Sequence, residues 1–132
     1  MNNRNKIFRR YLVVAILTLA AHVGCQNGPA AAPVDTNVAQ ETLARVLDGW
    51  KAGATTESFQ QQSPSVVVQD RDWQTGLSLI DYENHPPGKA LDANLLCEVT
   101  LTLRSTDGNK VQKNVTYIVG TDPVLTVFRQ VF

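Results

Sequence analysis

The chain has 132 residues, of which 43% are hydrophobic, and this suits one domain with a modest core. Four of its 12 Lys and Arg residues lie in the first 24 positions, so eight remain against 12 acidic residues and the rest of the chain carries a net charge of −4. A mildly acidic domain without a basic stripe argues against a nucleic-acid partner and against electrostatic binding to lipid.

The first 24 residues have the pattern of an export signal. Four basic residues and no acidic residue precede an apolar run over positions 11–21. The run is shorter than the roughly 20 residues that a helix needs to cross a bilayer, but it suits the apolar region of a signal peptide. Residues 1–24 are therefore expected to be a leader that exports the domain.

Val23-Gly24-Cys25 closes the leader and resembles a bacterial lipoprotein signal, in which a small residue precedes the cysteine that becomes the lipidated N-terminus. His22 departs from that pattern, which has leucine or another aliphatic residue at this position. The resemblance implies a lipid anchor on Cys25 in the cell envelope and a domain that faces the periplasm. Gln26, directly after the cysteine, favours the outer membrane. The alternative is an ordinary secretory signal in which Cys25 has no role.

The chain after the leader divides into a tether and one domain. Residues 25–34 have no periodicity and are rich in Gly, Ala and Pro, which predicts a flexible tether. Residues 35–132 contain no internal repeat, and about 100 residues suffice for a single core, so we expect one domain there.

The main helix is predicted over residues 36–50. Asp35 or Thr36 can cap its start, and Gly53 can end it. A second, short helix is expected to end before Pro64. The apolar residues that recur at helical spacing in the main helix are Val38, Leu43, Val46, Leu47 and Trp50.

The next segments predict two strands, separated by a charged stretch. Residues 65–69 contain three consecutive valines and predict a short strand or edge segment. Two aspartates in residues 70–73 suggest a cation site, but a calcium loop needs more oxygen ligands, so we expect a solvated loop with Trp73 folded onto the core. A strand is expected over 76–83, with its facing left open, and the Pro-Pro-Gly sequence in residues 85–88 predicts a loop.

Residues 94–104 alternate strictly between apolar and other side chains, as a half-buried strand does. A three-residue loop, 106–108 with Gly108 left-handed, sets Leu103 opposite Val111 and gives both strands of the hairpin one shared apolar face. The opposite face is polar and suits water. Cys97 lies on the apolar face and is expected to be a buried, inert thiol.

With a last long strand over 124–132, these elements predict an α+β domain: one main helix and one short helix packed on one face of a curved antiparallel sheet of about four long strands. This order resembles the cystatin-like and nuclear-transport-factor-like group, in which a curved sheet wraps a long helix. Residues 117–128 (YIVGTDPVLTVF) also resemble a run in small exported bacterial lipoproteins. Neither resemblance supplies a function.

Residues suited to acid–base chemistry are few. His85 is the only histidine after the leader, so neither a zinc site built on several histidines nor a catalytic triad is indicated. Asp48 and Asp81 are the other candidates, and all three are expected to be exposed groups beside a loop or a helix end. We therefore predict no catalytic residue, no metal site and no cofactor.

Two functions from different classes follow. The first is a lipid-anchored, non-catalytic domain that binds an envelope protein or a small ligand. The alternative is a small-molecule isomerase or cyclase, with a pocket between helix and sheet that has Trp50, Trp73 and Tyr82 as its ligand-binding walls. The shortage of acid–base residues favours the first. A filled helix–sheet interface would argue against the second.

Overall fold

The structure is a computed structural model that describes Gly28 and residues 30–131. The predicted leader, Phe132 and four residues of the predicted tether lie outside the described residues; these four are Cys25, Gln26, Asn27 and Pro29.

Helix α1 spans Thr36–Lys51, one residue beyond the predicted end. The carboxylate of Asp35 caps it by accepting hydrogen bonds from the backbone N–H groups of Asn37 at 3.1 Å and Val38 at 3.0 Å. Gly53 follows the last turn with a φ of +87°, the left-handed conformation that ends many helices. Both predicted end signals of the helix are confirmed.

The buried stripe of α1 contains four of the five predicted residues, Leu43, Val46, Leu47 and Trp50, and departs from the prediction at its start. It runs through Ala39 and leaves Val38, about 100° away around the helix, 37% exposed. The predicted second, short helix is present as a 3-10 helix, Glu57–Gln61. Its buried Phe59 ring lies so close to Gly49 that a Cβ there would overlap it. The buried residues of α1 are Ala39, Thr42, Leu43, Val46, Leu47 and Trp50.

In the described part of the chain, five strands form one sheet in the order β1-β5-β4-β3-β2. β1 and β5 are parallel, and the other neighbours are antiparallel. The prediction of about four long strands is slightly off, because β1 joins the sheet and β5 is much shorter than the expected 124–132. The strands are Val66–Gln69 (β1), Ser78–Leu91 (β2), Asn94–Arg104 (β3), Lys110–Gly120 (β4) and Leu125–Arg129 (β5).

The predicted β3–β4 register is confirmed. Leu103 pairs with Val111, and the N–H of Ser105 donates to the carbonyl of Asn109 at 2.9 Å, which encloses three loop residues. Gly108 in that loop has a φ of +89°, as the three-residue loop requires. The buried residues of β3 are the predicted alternating set, Leu95, Cys97, Val99, Leu101 and Leu103.

The loop predicted over residues 85–88 is wrong. β2 continues through these residues, and its pairing with β3 shifts between His85 and Lys89 to absorb the Pro-Pro-Gly sequence. β2 is an edge strand, where a proline is tolerated because its missing N–H removes no hydrogen bond to a second neighbour.

The facing of residues 76–83, which the sequence left open, follows from a bulge. Leu79 pairs with Leu103 and Tyr82 with Leu101, so both lie on the side of the sheet that faces α1. An extra residue at Ile80 accounts for the change of parity between them.

The predicted solvated loop over residues 70–73 is also wrong. Asp70 caps a single helical turn, α2 (Arg71–Gln74), by accepting a hydrogen bond from the backbone N–H of Trp73 at 3.1 Å. The side chain of Asp70 is only 1% exposed. Trp73 packs against the core, as predicted.

Candidate functional site

The two tryptophans predicted as pocket walls stack on each other. Trp50 and Trp73 stack with their ring centroids 4.9 Å apart and their planes 3° from parallel. Their indole N–H groups donate to the carbonyls of Leu77 and Ala54, each at 3.0 Å. A depression of about 380 Å³ adjoins them, and the rings serve mainly to close the core.

The third predicted wall, Tyr82, joins the sheet to α1. Its hydroxyl donates to Oδ1 of Asp48 at 2.8 Å. Burial raises the pKa of Tyr82 to about 12, with a further contribution from the Asp48 carboxylate. Tyr82 therefore acts as a neutral hydrogen-bond donor that links β2 to the helix.

The three titratable candidates do not converge within the described structure. Asp48 accepts the hydroxyl of Tyr82, and Asp81 forms an exposed ion pair with Lys51 at 3.0 Å. The hydrogen bond from Lys51 lowers the pKa of Asp81 below its ordinary value. His85 lies on the opposite face of the sheet from Tyr82, so no acid–base pair forms among these groups.

A cluster of charges between α2 and the sheet was missed by the sequence reasoning. The Tyr117 hydroxyl donates to Oδ2 of Asp70 at 2.6 Å, and the Arg129 guanidinium bonds both Asp70, at 3.3 Å, and Asp72. Lys113 Nζ lies 2.9 Å from Oδ2 of Asp72. These five residues are called the buried charge cluster below.

In the buried charge cluster, two carboxylates lie against two basic side chains. Burial and the Asp70 carboxylate raise the pKa of Tyr117 well above its ordinary value. Burial acts to raise the pKa of Asp72, but hydrogen bonds from Lys113 and Arg129 outweigh it and hold that pKa below the ordinary value. Each carboxylate is paired with a cation, so the cluster ties α2 to β4 and β5 without offering a free acid or base.

Side chains fill the space between α1 and the sheet where the predicted pocket would open. Leu43 and Leu47 of α1 and Leu101 of β3 have no exposed surface. Cys97 is buried as predicted, and burial raises the pKa of its thiol to about 11. Among the described residues, no three His, Cys, Asp or Glu side chains are grouped so that they could hold a metal ion.

A groove of about 650 Å³ crosses the outer face of the sheet, on the side away from α1. The register places His85 of β2, Thr100 of β3, and Asn114 and Thr116 of β4 on this face. Gln130, just after β5, completes the lining and donates its backbone N–H to the carbonyl of Thr116 at 2.9 Å. We call this concavity the outer groove.

A chain of hydrogen bonds orients three side chains of the outer groove. The Thr100 hydroxyl donates to Oδ1 of Asn114 at 2.9 Å, and its oxygen lies 2.9 Å from Nε2 of His85. Because the one hydroxyl proton goes to Asn114, Nε2 of His85 must be the donor to Thr100. A neutral His85 then keeps Nδ1 as a hydrogen-bond acceptor.

The outer face is less uniformly polar than predicted, because one apolar row crosses it beside the outer groove. Leu96 pairs with Ile118, and Ile118 pairs with Phe128, and all three are half-buried. The signal was present in the sequence, because the predicted β3–β4 register already puts Leu96 and Ile118 on the polar face.

Within the described residues, no helix has the length and apolar character needed to span a bilayer. Comparisons of the chain with protein-family models, with curated proteins and with solved structures give no significant match.

Proposed function

We propose that this protein is a lipid-anchored envelope protein whose domain binds a partner or a small ligand without catalysis. The filled interface between α1 and the sheet carries the proposal, since Leu43, Leu47 and Leu101 are fully enclosed there. A close-packed interior gives a rigid scaffold and leaves binding to the surface. The outer groove is then the binding surface, because hydrogen-bonding side chains from four strands or their ends converge on it.

The order of elements supports a fold of the cystatin-like and nuclear-transport-factor-like kind. α1 packs on one face of the sheet, and β2, β3 and β4 follow as a meander of long strands. This part of the proposal concerns architecture and carries no activity with it.

The alternative, an isomerase or cyclase, needs an acid or base within hydrogen-bond reach of a substrate. Asp70 is the carboxylate with the deepest burial, yet the Tyr117 hydroxyl, the Arg129 guanidinium and the Trp73 N–H already occupy its oxygens. A substrate could reach Asp70 only if the hydrogen bonds of the buried charge cluster were broken. An isomerase or cyclase activity is therefore the weaker proposal.

The position of the domain's start determines which end of the sheet an anchor would hold near the membrane. The N–H of Val34 donates to the carbonyl of Asp92 at 3.4 Å, and the N–H of Asp35 donates to the Thr121 hydroxyl at 3.1 Å. The chain therefore joins the domain at the end of the sheet where β2 turns into β3. Residues 26–33 can span at most about 30 Å, so a lipid on Cys25 would keep this end close to the membrane.

Cys25→Ser should move the protein from the membrane pellet to the soluble fraction, because it removes the sulfur that would carry the lipid. Fractionation followed by immunoblotting measures the change. Gln26→Ser, which leaves the cysteine in place, is the matched control and should remain in the pellet. A free thiol on Cys25, seen by mass spectrometry of the mature protein, would reject the anchor.

Binding is tested separately from anchoring, through the chemical accessibility of His85 in the outer groove. A ligand held there in the envelope should shield this imidazole, and purification should expose it.

A further inference from the structure

We infer that the outer groove binds a neutral saccharide chain. The inference rests on the proposed function and adds the chemical class of the ligand. The groove is lined by Thr100, Asn114, Thr116 and Gln130, and together these side chains carry both hydrogen-bond donors and acceptors. The hydroxyl proton of Thr100 is used on Asn114, so Thr100 offers a ligand an acceptor only. Sugar hydroxyls have the same double capacity, so a row of such side chains complements a polyhydroxylated ligand. The volume of about 650 Å³ lies within the range of small-ligand clefts.

The charge of the groove favours a neutral ligand. Glu98 is the carboxylate of the lining, and Glu83, which pairs with Thr100, lies beside the groove on the same face. Lys89 lines the adjoining part of that face. Arg129 also borders the groove, but its guanidinium bonds Asp70 and Asp72 on the other side of the sheet. With two acids and one base, the surface lacks the cation cluster that phosphate groups need, and it has fewer carboxylates than a bound cation needs.

The location of the groove favours a saccharide over an extended peptide. Peptides commonly add to the free edge of a sheet through main-chain hydrogen bonds. Thr100 and Asn114 lie on β3 and β4, and each of these strands already has a neighbour on both sides. Recognition at this place must come from side chains, which suits a ligand that presents hydroxyl groups.

The groove is also prepared for binding before the ligand arrives. The bonds from His85 to Thr100 and from Thr100 to Asn114 fix three side chains, which lowers the entropy lost on binding. The apolar row of Leu96, Ile118 and Phe128 runs alongside and can cover the C–H face of a sugar ring. Polar groups beside an apolar strip match the two kinds of surface that a pyranose ring presents.

The test is cosedimentation of the intact purified protein with two insoluble neutral polysaccharides, chitin and cellulose. The parent should bind at least one polymer saturably. Asn114→Ala and Thr100→Val should each raise the apparent Kd about tenfold, the factor that corresponds to one good hydrogen bond. Gln112→Ala, two residues along β4 on the same face but outside the groove lining, should bind like the parent. Equal unfolding midpoints of the variants would exclude misfolding as the cause.

Two results would overturn the inference. One is binding of neither polymer, and the other is equal binding by Asn114→Ala, Thr100→Val and Gln112→Ala. A bead-bound, uncharged Gly-Ser peptide serves as the comparison probe. If the parent retains this peptide instead and Asn114→Ala loses it, the saccharide is wrong while the binding function of the groove remains.

Discussion

Replacement of Arg129 by methionine should lower the free energy of unfolding by about 3–5 kcal/mol, the range measured when one partner of a buried ion pair is removed. The Arg129 side chain is 14% exposed, and it bonds Asp70 and Asp72, which are 1% and 16% exposed. Without the guanidinium, Asp70 keeps only neutral donors, from Tyr117 and the Trp73 backbone, for a charge that water cannot reach. Urea denaturation of parent and variant measures the difference.

Lys51→Met is the matched control, because it removes a cation from the exposed pair with Asp81. Its stability should stay close to that of the parent, since surface pairs contribute little. Equal losses in the two variants would show that the buried charge cluster has no special role. The pKa of Asp72 is lowered in the folded state, so its contribution is present above the ordinary pKa of an aspartate and is lost as the pH falls through the lowered value. The parent should therefore lose more stability in acid than Arg129→Met does.

Leu101→Ala should cost about 2–5 kcal/mol, because it removes a fully enclosed side chain from a close-packed interface and leaves a cavity. Leu101 is 0% exposed and pairs with Tyr82 on one side and Lys113 on the other. Thr102→Ala changes the next residue of β3, on the outer face, and should cost little. Thermal or urea unfolding of both variants measures the two losses.

The comparison of these two neighbours tests the facing of β3. A similar loss at Leu101 and Thr102 would mean that both faces of the sheet are equally packed. That result would remove the distinction between a filled inner face and a binding outer face.

The hairpin could be predicted from sequence because the residues that determine its register and its loop lie close together in the chain. The side chains of β3 alternate between the two faces, with Leu96 as the one apolar residue on the outer face, and a one-residue slip would send the apolar set to the wrong face. Gly108 supplied the loop geometry within the same stretch. The caps of α1 are local in the same sense, since Asp35 bonds N–H groups only two and three residues away.

The features that escaped prediction depend on residues far apart in the chain. Asp70 and Asp72 looked like a solvated pair because their partners, Lys113, Tyr117 and Arg129, lie more than 40 residues further on. Local charge density cannot show that the opposite charges lie on distant strands, and the sequence of residues 70–73 therefore resembled that of a solvated loop.

The prediction of a loop over residues 85–88 of β2 failed for a different reason. Pro-Pro-Gly is a strong loop signal, but an edge strand can absorb it as an irregularity. Which strand lies at the edge is a property of the whole sheet. The outer groove depends on the same fact, because His85 reaches Thr100 only when β2 continues past residue 84.

The central claim is that the outer face of the sheet is the binding surface, and labelling of His85 by diethyl pyrocarbonate tests it most directly. The chain has two histidines, and His22 lies in the predicted leader, so His85 can be followed by mass spectrometry of one peptide. We expect His85 to react several-fold more slowly in isolated envelopes than in the purified protein, and the Asn114→Ala variant to lose this protection. Equal rates for the parent in envelopes and in solution would contradict the account.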